Sequence, residues 1–204
     1  MSALERVILD VDTQFDFLDP AGALYVPGSV EIRDALDRLF DYAAGAKIPV
    51  LSSVDEHTPD DPEFAEFGPH CVKGTSGQEK LPITVLSSNF TIRPEDILPR
   101  PVVSLLSDYD QLIFTKPTLS VFDNPNFVDL VEALEVGEYL VFGVATDYCV
   151  LQEAMGLLER GRRVKIVRDA IKALGKETGE KACQTLSALG ADWIETSDIV
   201  GCSE

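Results

Sequence analysis

The sequence predicts an α/β fold: one three-layer α/β/α domain of the Rossmann-like type, built on a mainly parallel six-stranded sheet. Three observations favour it. Short β-branched runs alternate with segments of helical length, as in successive strand–helix–strand units. The length of 204 residues suits one such domain, whose core needs neither disulfide nor metal to fold. Proline and glycine are spread along the chain, which argues against a disordered tract.

The elements follow one another regularly except in one place. The predicted strands are, in order, RVILDVD from residue 6, IPVLSSVD from 48, QLIFTK from 111, YLVFGVA from 139, RVKIVRDA from 163 and ADWIETSD from 191. Helices are predicted near residues 31–44, 127–134, 149–160 and 177–189. Gly161 and Gly190 each follow a last apolar turn, where a left-handed residue commonly closes a helix.

A proline-rich stretch, residues 55–104, interrupts the alternation between two sheet strands. A connection of this length inside a compact domain is usually functional or carries small elements of its own. We therefore predict a single domain over residues 1–204, with this stretch as an irregular insertion.

The charge balance restricts the class of partner. The formal net charge is −18, from 35 acidic and 17 basic residues, which should repel nucleic acid and anionic membranes. The sequence shows no basic segment followed by an apolar one at its start, and no apolar run approaches the ~20 residues that span a bilayer. The expected location is therefore the cytoplasm. A small-molecule site is the remaining expectation. The four cysteines lack CxxC spacing and are expected to be free thiols: Cys71, Cys149, Cys183 and Cys202.

Reactive side chains collect at the ends of the predicted strands. Asp12 follows the first strand, Asp55 and His57 the second, Lys116 the third and Cys149 the fourth. In open parallel sheets, ligands bind beyond the carboxyl ends of the strands. Any one of these residues would be weak evidence, but their concentration on consecutive strand ends predicts a site there.

Cys149 has two interpretations, a small buried hydrophobe or a nucleophile. Thr146 or Asp147 is a candidate N-cap, which would place Cys149 in the first turn of a helix, where a thiolate is favoured. The Asp147 carboxylate would oppose that thiolate, so Lys116 would have to outweigh it. The other three cysteines lack a comparable strand-to-helix setting and are expected to have no chemical role.

The only two histidines, His57 and His70, both fall in the insertion. Together with Asp55 they would form a mixed oxygen and nitrogen set suited to zinc, iron or manganese, with positions left for water or substrate. Solvated loop histidines are the alternative. Glu63 could add a fourth ligand, although a solvated glutamate is the expected role there.

A competing motif opens the chain. VILDVDTQ looks like the first motif of the haloacid dehalogenase-like phosphatases, with Asp10 as nucleophile and Asp12 as acid/base. Lys116 would then bind phosphate. That family also needs paired acids late in the sheet, where this chain offers the single Asp169, and the hypothesis leaves Cys149 and both histidines unexplained.

Four segments in order resemble the isochorismatase-like cysteine hydrolases, and within them the nicotinamidases most closely. They are VDTQFDFLDPAGALYVPGS, DEH with FGPHCVKGTSG, FTKP, and GVATDYCVLQEAMGLLERGRRVKIVRDA. The resemblance implies catalytic roles for Asp12, Lys116 and Cys149. It further implies a divalent metal, zinc before iron or manganese, held by the three insertion residues named above, and it favours a homo-oligomer.

The same resemblance implies hydrolysis of a small carboxamide, such as nicotinamide, through a thioester. The backbone N–H groups of Ala145 and Cys149 would hold the oxyanion across a cis Val144–Ala145 peptide, and Phe17 and Phe67 would sandwich a flat ring. The chain departs from the family at Glu56 and Phe67, where nicotinamidases usually have tryptophan, and in the wall near residues 121–126. Besides the phosphatase, a non-catalytic binding protein on this fold is the alternative.

Overall fold

The computed structural model describes residues 4–201 and has a seven-stranded, wholly parallel sheet at its centre. The spatial order of the strands is β3-β4-β2-β1-β5-β6-β7. The strands are β1 (Leu4–Val11), β2 (Val50–Asp55), β3 (Asn89–Ile92), β4 (Gln111–Lys116), β5 (Val136–Val144), β6 (Val164–Lys172) and β7 (Asp192–Ile194). Both β2 and β4 are buried along their full length, as strands covered on two faces should be.

Residues 4–201 form seven α-helices in addition to the strands. They are α1 (Phe15–Leu18), α2 (Arg33–Ala46), α3 (Phe64–Phe67), α4 (Pro125–Ala133), α5 (Leu151–Glu159), α6 (Lys176–Ala188) and α7 (Thr196–Val200). Helix α2 packs against α7, and α5 packs against α6. These two pairs lie on opposite faces of the sheet. The step from β1 to β2 and the step from β5 to β6 run in opposite directions across the sheet, and right-handed crossovers therefore place the connecting helices on opposite faces. The predicted three-layer α/β/α architecture is confirmed.

The order of the strands fixes where a ligand can bind. β1 lies between β2 and β5, so the connections that leave β1 and β5 diverge to opposite faces. Such a topological switch point opens a crevice at the carboxyl ends of the strands. β1, β2, β4 and β5, which carry the reactive side chains, are consecutive neighbours around it.

The predicted number of strands was one too low. β3, which pairs with β4 at the sheet edge, lies inside the insertion of residues 55–104. Its four residues, NFTI, are too few and too polar to produce a periodic signal. The insertion also holds α3 and a 3₁₀ segment, Pro82–Thr84, and a second 3₁₀ segment, Val102–Ser107, begins at its end, so it does carry small elements of its own.

Glycines end two of the helices, as the sequence predicts. Gly161 and Gly190 have φ angles of 70° and 96°, and each follows a helix at the left-handed position. The helix boundaries differ from the predicted ones by one or two residues, as at α2, which a 3₁₀ segment (Ser29–Ile32) precedes. Among residues 4–201, no helix combines the length and the apolar character needed to cross a bilayer.

Candidate active site

Four strand ends bring the candidate catalytic side chains together. Asp12 follows β1, Asp55 ends β2, Lys116 ends β4, and Cys149 lies in the turn after β5. None of these four residues is more than 5% exposed. This arrangement matches the convergence at one sheet edge that the sequence predicts, because parallel strands present their carboxyl ends at the same edge.

The ammonium of Lys116 lies at the centre of this group. Its Nζ is 2.9 Å from Oδ2 of Asp12 and donates to Oδ1 of Asp55. It is also 3.7 Å from Sγ of Cys149 and donates to the carbonyl of Thr118 at 3.1 Å. One buried cation therefore contacts two carboxylates and the thiol.

Asp12 is held by both its backbone and its side chain. Its φ of 48° turns the chain sharply at the end of β1. The Asp12 N–H donates to the carbonyl of Ser53 at 3.2 Å, and the Ser53 hydroxyl donates to Oδ1 of Asp12 at 2.8 Å. The other carboxylate oxygen, Oδ2, is left to face Lys116.

The electrostatics of the cluster keep the thiol protonated at rest. Burial raises the pKa of Cys149 well above its usual value, the charges of Asp12 and Asp55 raise it further, and Lys116 acts in the opposite direction. Burial also raises the pKa of Asp12, against the charge of Lys116. The pKa of Lys116 is raised, because its two carboxylate partners outweigh the cost of burial. A thiol in this setting needs a neighbouring base, and a carboxylate with a raised pKa is a better proton acceptor than an ordinary one.

The turn that carries Cys149 differs from the predicted N-cap. Thr146–Val150 forms a wide π turn that continues into α5, and neither Thr146 nor Asp147 caps it with its side chain. Asp147 instead accepts hydrogen bonds from the N–H groups of Leu174 and Gly175, both at 2.9 Å. Its charge is thus tied to the start of α6. The Val144–Ala145 peptide bond, directly before this turn, is cis.

A second cluster lies beside the first. One ligand atom each of Asp55, His57 and His70 can be chosen so that all three lie within 4.8 Å of one another. Nε2 of His57 and of His70 lie 3.7 and 3.9 Å from Oδ2 of Asp55. Glu63 is half-buried, not solvated as expected, and its Oε1 is 3.8 Å from Nε2 of His70. This set of two imidazoles and two carboxylates matches the donors that zinc, iron and manganese take.

The outer ring nitrogens of both histidines are fixed by further contacts. Nδ1 of His57 is 3.0 Å from Oδ2 of Asp61, and Nδ1 of His70 is 2.8 Å from the carbonyl of Gly68. Each Nε2 is therefore turned toward Asp55, as in metal sites with an oriented histidine. Among the described residues, the buried Nε2 of His57 has no hydrogen-bond partner. The pKa of His57 is raised to about 9, because the Asp55 and Asp61 carboxylates outweigh burial. The surroundings favour a bound cation, so the residues present fit a metal ion.

A pocket with an empty volume of about 290 Å³ opens onto both clusters. Cys149, Asp55 and His70 form its floor and side, and the remaining lining is mostly apolar: Phe17, Leu24, Phe67, Leu119, Ala145, Tyr148 and Leu174, with Glu63. The ring of Phe67 meets that of Tyr148 edge to face, with centroids 5.2 Å apart. None of residues 121–126, where the sequence predicted a divergent pocket wall, lines the pocket, and Val121 and Asn124 are fully buried. Leu119, just before this segment, is the nearest residue that does line it.

The acids of the phosphatase hypothesis are engaged elsewhere. Asp10 is fully buried, and its Oδ2 is 2.5 Å from Nζ of Lys80 and 2.7 Å from the hydroxyl of Ser52. Asp169 accepts from both the N–H and the hydroxyl of Thr196 at the start of α7. Neither carboxylate faces the pocket. The phosphatase hypothesis finds no support here.

The comparisons with known proteins identify the family. An isochorismatase domain model matches residues 6–198. The chain belongs to the isochorismatase family. The nicotinamidase of Escherichia coli (strain K12) is 26% identical over 223 aligned positions, which cover 94% of this chain and 98% of that protein.

Solved structures agree with this assignment. The pyrazinamidase of Pyrococcus horikoshii, in complex with zinc, superposes with a TM-score of 0.73 at 26% identity over 94% of this chain and 99% of that one. The nicotinamidase/pyrazinamidase of Bacillus subtilis has a TM-score of 0.75 at 23% identity over 94% of this chain and 100% of that one, a likeness that shows the fold. The predicted family is confirmed, and the relatives support the predicted amidohydrolase.

Several residues at the site were not anticipated. The side-chain amide of Gln14 anchors the backbone of Asp55. It accepts a hydrogen bond from the Asp55 N–H at 2.7 Å and donates one to the Asp55 carbonyl at 2.9 Å. Asp61, four residues after His57, could have been found from that spacing. Ser53 and Glu153 carry no sequence signal, because their role depends on which side chains the fold places beside them.

The free thiols expected at Cys71, Cys149 and Cys183 are present, and Cys202 lies outside the described residues.

Proposed function

We propose that this protein is a cysteine amidohydrolase that cleaves a small carboxamide, nicotinamide or a close relative, to the carboxylic acid and ammonia. The observation that carries the proposal is the contact of one buried ammonium, Lys116, with Asp12 at 2.9 Å and with Cys149 at 3.7 Å, where Cys149 lines a mostly apolar pocket. The similarity to the Escherichia coli nicotinamidase over nearly the whole chain supports the same activity.

In the acylation step, Asp12 takes the proton of the Cys149 thiol while Lys116 stabilises the thiolate. The sulfur then bonds to the amide carbon, and the carbonyl electron pair moves to oxygen. The N–H groups of Ala145 and Cys149 are the donors we assign to that oxyanion. As the tetrahedral species collapses, the C–N bond breaks and Asp12 returns its proton to nitrogen, which leaves as ammonia.

In the deacylation step, a water molecule gives a proton to Asp12 and adds to the thioester carbon. Collapse breaks the C–S bond and releases the acid, and the Cys149 sulfur recovers its proton from Asp12. Lys116 remains cationic throughout, since its raised pKa makes it a poor proton donor. Its role is to stabilise the negative charge that moves between carboxylate and sulfur.

Asp55, His57, His70 and Glu63 are the side chains that would hold a divalent metal, zinc before iron or manganese. When bound, the metal supplies a Lewis-acidic point that orients a substrate ring nitrogen or a water molecule. Phe17 and Phe67 line the same pocket, and we assign to them the two faces of a flat substrate ring. The apolar lining suits a small uncharged amide.

The test is ammonia release from nicotinamide, pyrazinamide and a panel of aliphatic carboxamides by the zinc-loaded protein. We expect release by the unmodified protein and by Cys183→Ala, and none by Cys149→Ala. Cys183 is the matched control because it is also a free cysteine, in α6, and does not line the pocket. Equal release by the Cys149→Ala variant would exclude the thioester mechanism.

Alkylation separates the enzyme from a non-catalytic binding protein. Iodoacetamide at neutral pH should modify Cys149 far ahead of Cys71, Cys183 and Cys202. Among the described cysteines, Cys149 is the one that lines the pocket and contacts Lys116, and we assign the removal of its proton to Asp12. Absence of ammonia release from every amide, together with an unreactive Cys149, would assign the chain to the binding proteins instead.

A further inference from the structure

Glu153 is a buried acid for which the proposed reaction has no use. It lies in α5, four residues beyond Cys149, and is 0% exposed. Within residues 4–201, neither oxygen of its carboxyl group has a hydrogen-bond partner. An ionised carboxylate buried in this way would be very costly, and unpartnered polar groups of this kind are uncommon in folded proteins.

Ser53 connects this acid to the catalytic carboxylate. Its hydroxyl donates to Oδ1 of Asp12 at 2.8 Å. Ser53 is also a neighbour of Glu153 and lowers the pKa of that acid, although the two side chains form no hydrogen bond in this structure. A serine hydroxyl has one donor and two acceptor lone pairs. Since the single Ser53 proton is used on Asp12, only a protonated Glu153 can form a hydrogen bond with Ser53, by donating to it.

The local charge balance leads to the same protonation state. Lys116 is the only ammonium that contacts the described cluster, and it already faces Asp12 and Asp55. Among the described residues no lysine or arginine pairs with Glu153, so an ionised Glu153 would be a buried charge without a salt-bridge partner. Burial, as the largest cause, and the charge of Asp12 raise the pKa of Glu153 well above the usual range, and they outweigh Lys116 and Ser53, which lower it.

We propose that Glu153 is a positioning residue, a neutral carboxylic acid whose O–H donates to Ser53 and so completes a hydrogen-bond chain to Asp12. A donor to the Ser53 oxygen fixes the direction of the Ser53 O–H and strengthens its bond to Asp12. Asp12 is thereby kept with Oδ2 toward Lys116 and the thiol. This inference rests on the proposed function in taking Asp12 as the base for Cys149.

The test compares Glu153→Leu with Glu153→Gln. Leucine keeps the volume but cannot donate, whereas the glutamine NH₂ can donate to the Ser53 oxygen. For Glu153→Leu we expect kcat for the best amide to fall by up to about tenfold with KM unchanged, the effect of losing one hydrogen bond between neutral groups in the chain to Asp12. The rate of Cys149 alkylation by iodoacetamide should fall by a similar factor. Glu153→Gln should restore most of both losses.

Two further measurements make the result decisive. Ser53→Ala should reproduce the loss, and the Ser53→Ala/Glu153→Leu double variant should be no slower than the slower single variant, since both act through one chain. Urea unfolding verifies that each variant is folded, and if Glu153→Leu does not fold, the Ser53→Ala and Glu153→Gln rates decide. Equal loss in Glu153→Gln and Glu153→Leu, unchanged rates in Glu153→Leu, or additive losses in the double variant would overturn the proposal.

The alkylation rates keep this test separate from the proposed function. If the unmodified protein releases no ammonia from any amide, the proposed function fails. The alkylation rates of the same variants still support or overturn the role of Glu153, because they measure proton transfer from Cys149 without an amide substrate.

Discussion

Removing the charge of Lys116 should both destabilise the protein and slow the alkylation of Cys149. In Lys116→Met the volume is nearly kept, but Asp12 and Asp55 lose their shared cation. At an effective dielectric constant of about 20, two unit charges 2.9 Å apart, the separation of Lys116 and Asp12, attract each other by roughly 6 kcal/mol. The cost of burying the ammonium offsets part of this attraction.

The net effect follows from comparable buried pairs. Removal of one partner costs about 3–5 kcal/mol, because the remaining charge stays buried without compensation. For a chain of this size that corresponds to a fall in Tm of roughly 6–20 °C. The Cys149 thiol also loses the charge that lowers its pKa, so its alkylation at pH 7 should slow at least about tenfold.

Lys80→Met provides the matched control. Lys80 is a second lysine with a buried side chain, 2.5 Å from Oδ2 of Asp10, and its other side-chain partner is the hydroxyl of Thr13, whereas Lys116 contacts Cys149. Urea unfolding followed by circular dichroism should show that both variants lose stability. Iodoacetamide labelling read by mass spectrometry should show slow Cys149 only in Lys116→Met. A loss of under about 1 kcal/mol for Lys116→Met, or equal slowing of Cys149 in both variants, would refute this reasoning.

Three further predictions rest on single features. Phe67→Ala should raise KM for an aromatic amide about tenfold with little change in kcat, measured by ammonia release, since it removes one face of the ring site; an unchanged KM would contradict that role. Zinc should raise the Tm of the unmodified protein but not of His70→Ala, as followed by differential scanning fluorimetry; an equal rise in both would place the metal elsewhere. The pKa of Glu138 is lowered because Lys165 and Arg6 outweigh burial, so its pairs stabilise the fold above the unfolded carboxyl pKa of about 4.3 and lose that effect as the pH falls through the lower folded value. Glu138→Gln should therefore cost about 0.5–1 kcal/mol at pH 7, and this cost should shrink as the pH falls below about 4.3, as measured by urea unfolding; a pH-independent difference would point to lost packing instead.

The sequence alone determined the framework of this protein. The alternation of β-branched runs with helical segments predicts the parallel sheet, and the parallel-sheet rule then gathers Asp12, Asp55, Lys116 and Cys149 at one edge. These inferences succeed because they depend on periodicity and on chain direction. Both properties are carried by residues close together in the sequence.

Tertiary structure decided the rest. β3 becomes a strand only through pairing with β4, since its four residues have no periodicity of their own. Glu63 changes from a solvated side chain to a neighbour of His70, and Asp147 is tied to the start of α6 instead of capping its own turn. Glu153 is a charged residue type in a helix, which sequence alone would place at the surface, yet it is fully buried. In each case the outcome depends on contacts between segments distant in the chain, and local sequence carries no record of which segments will meet.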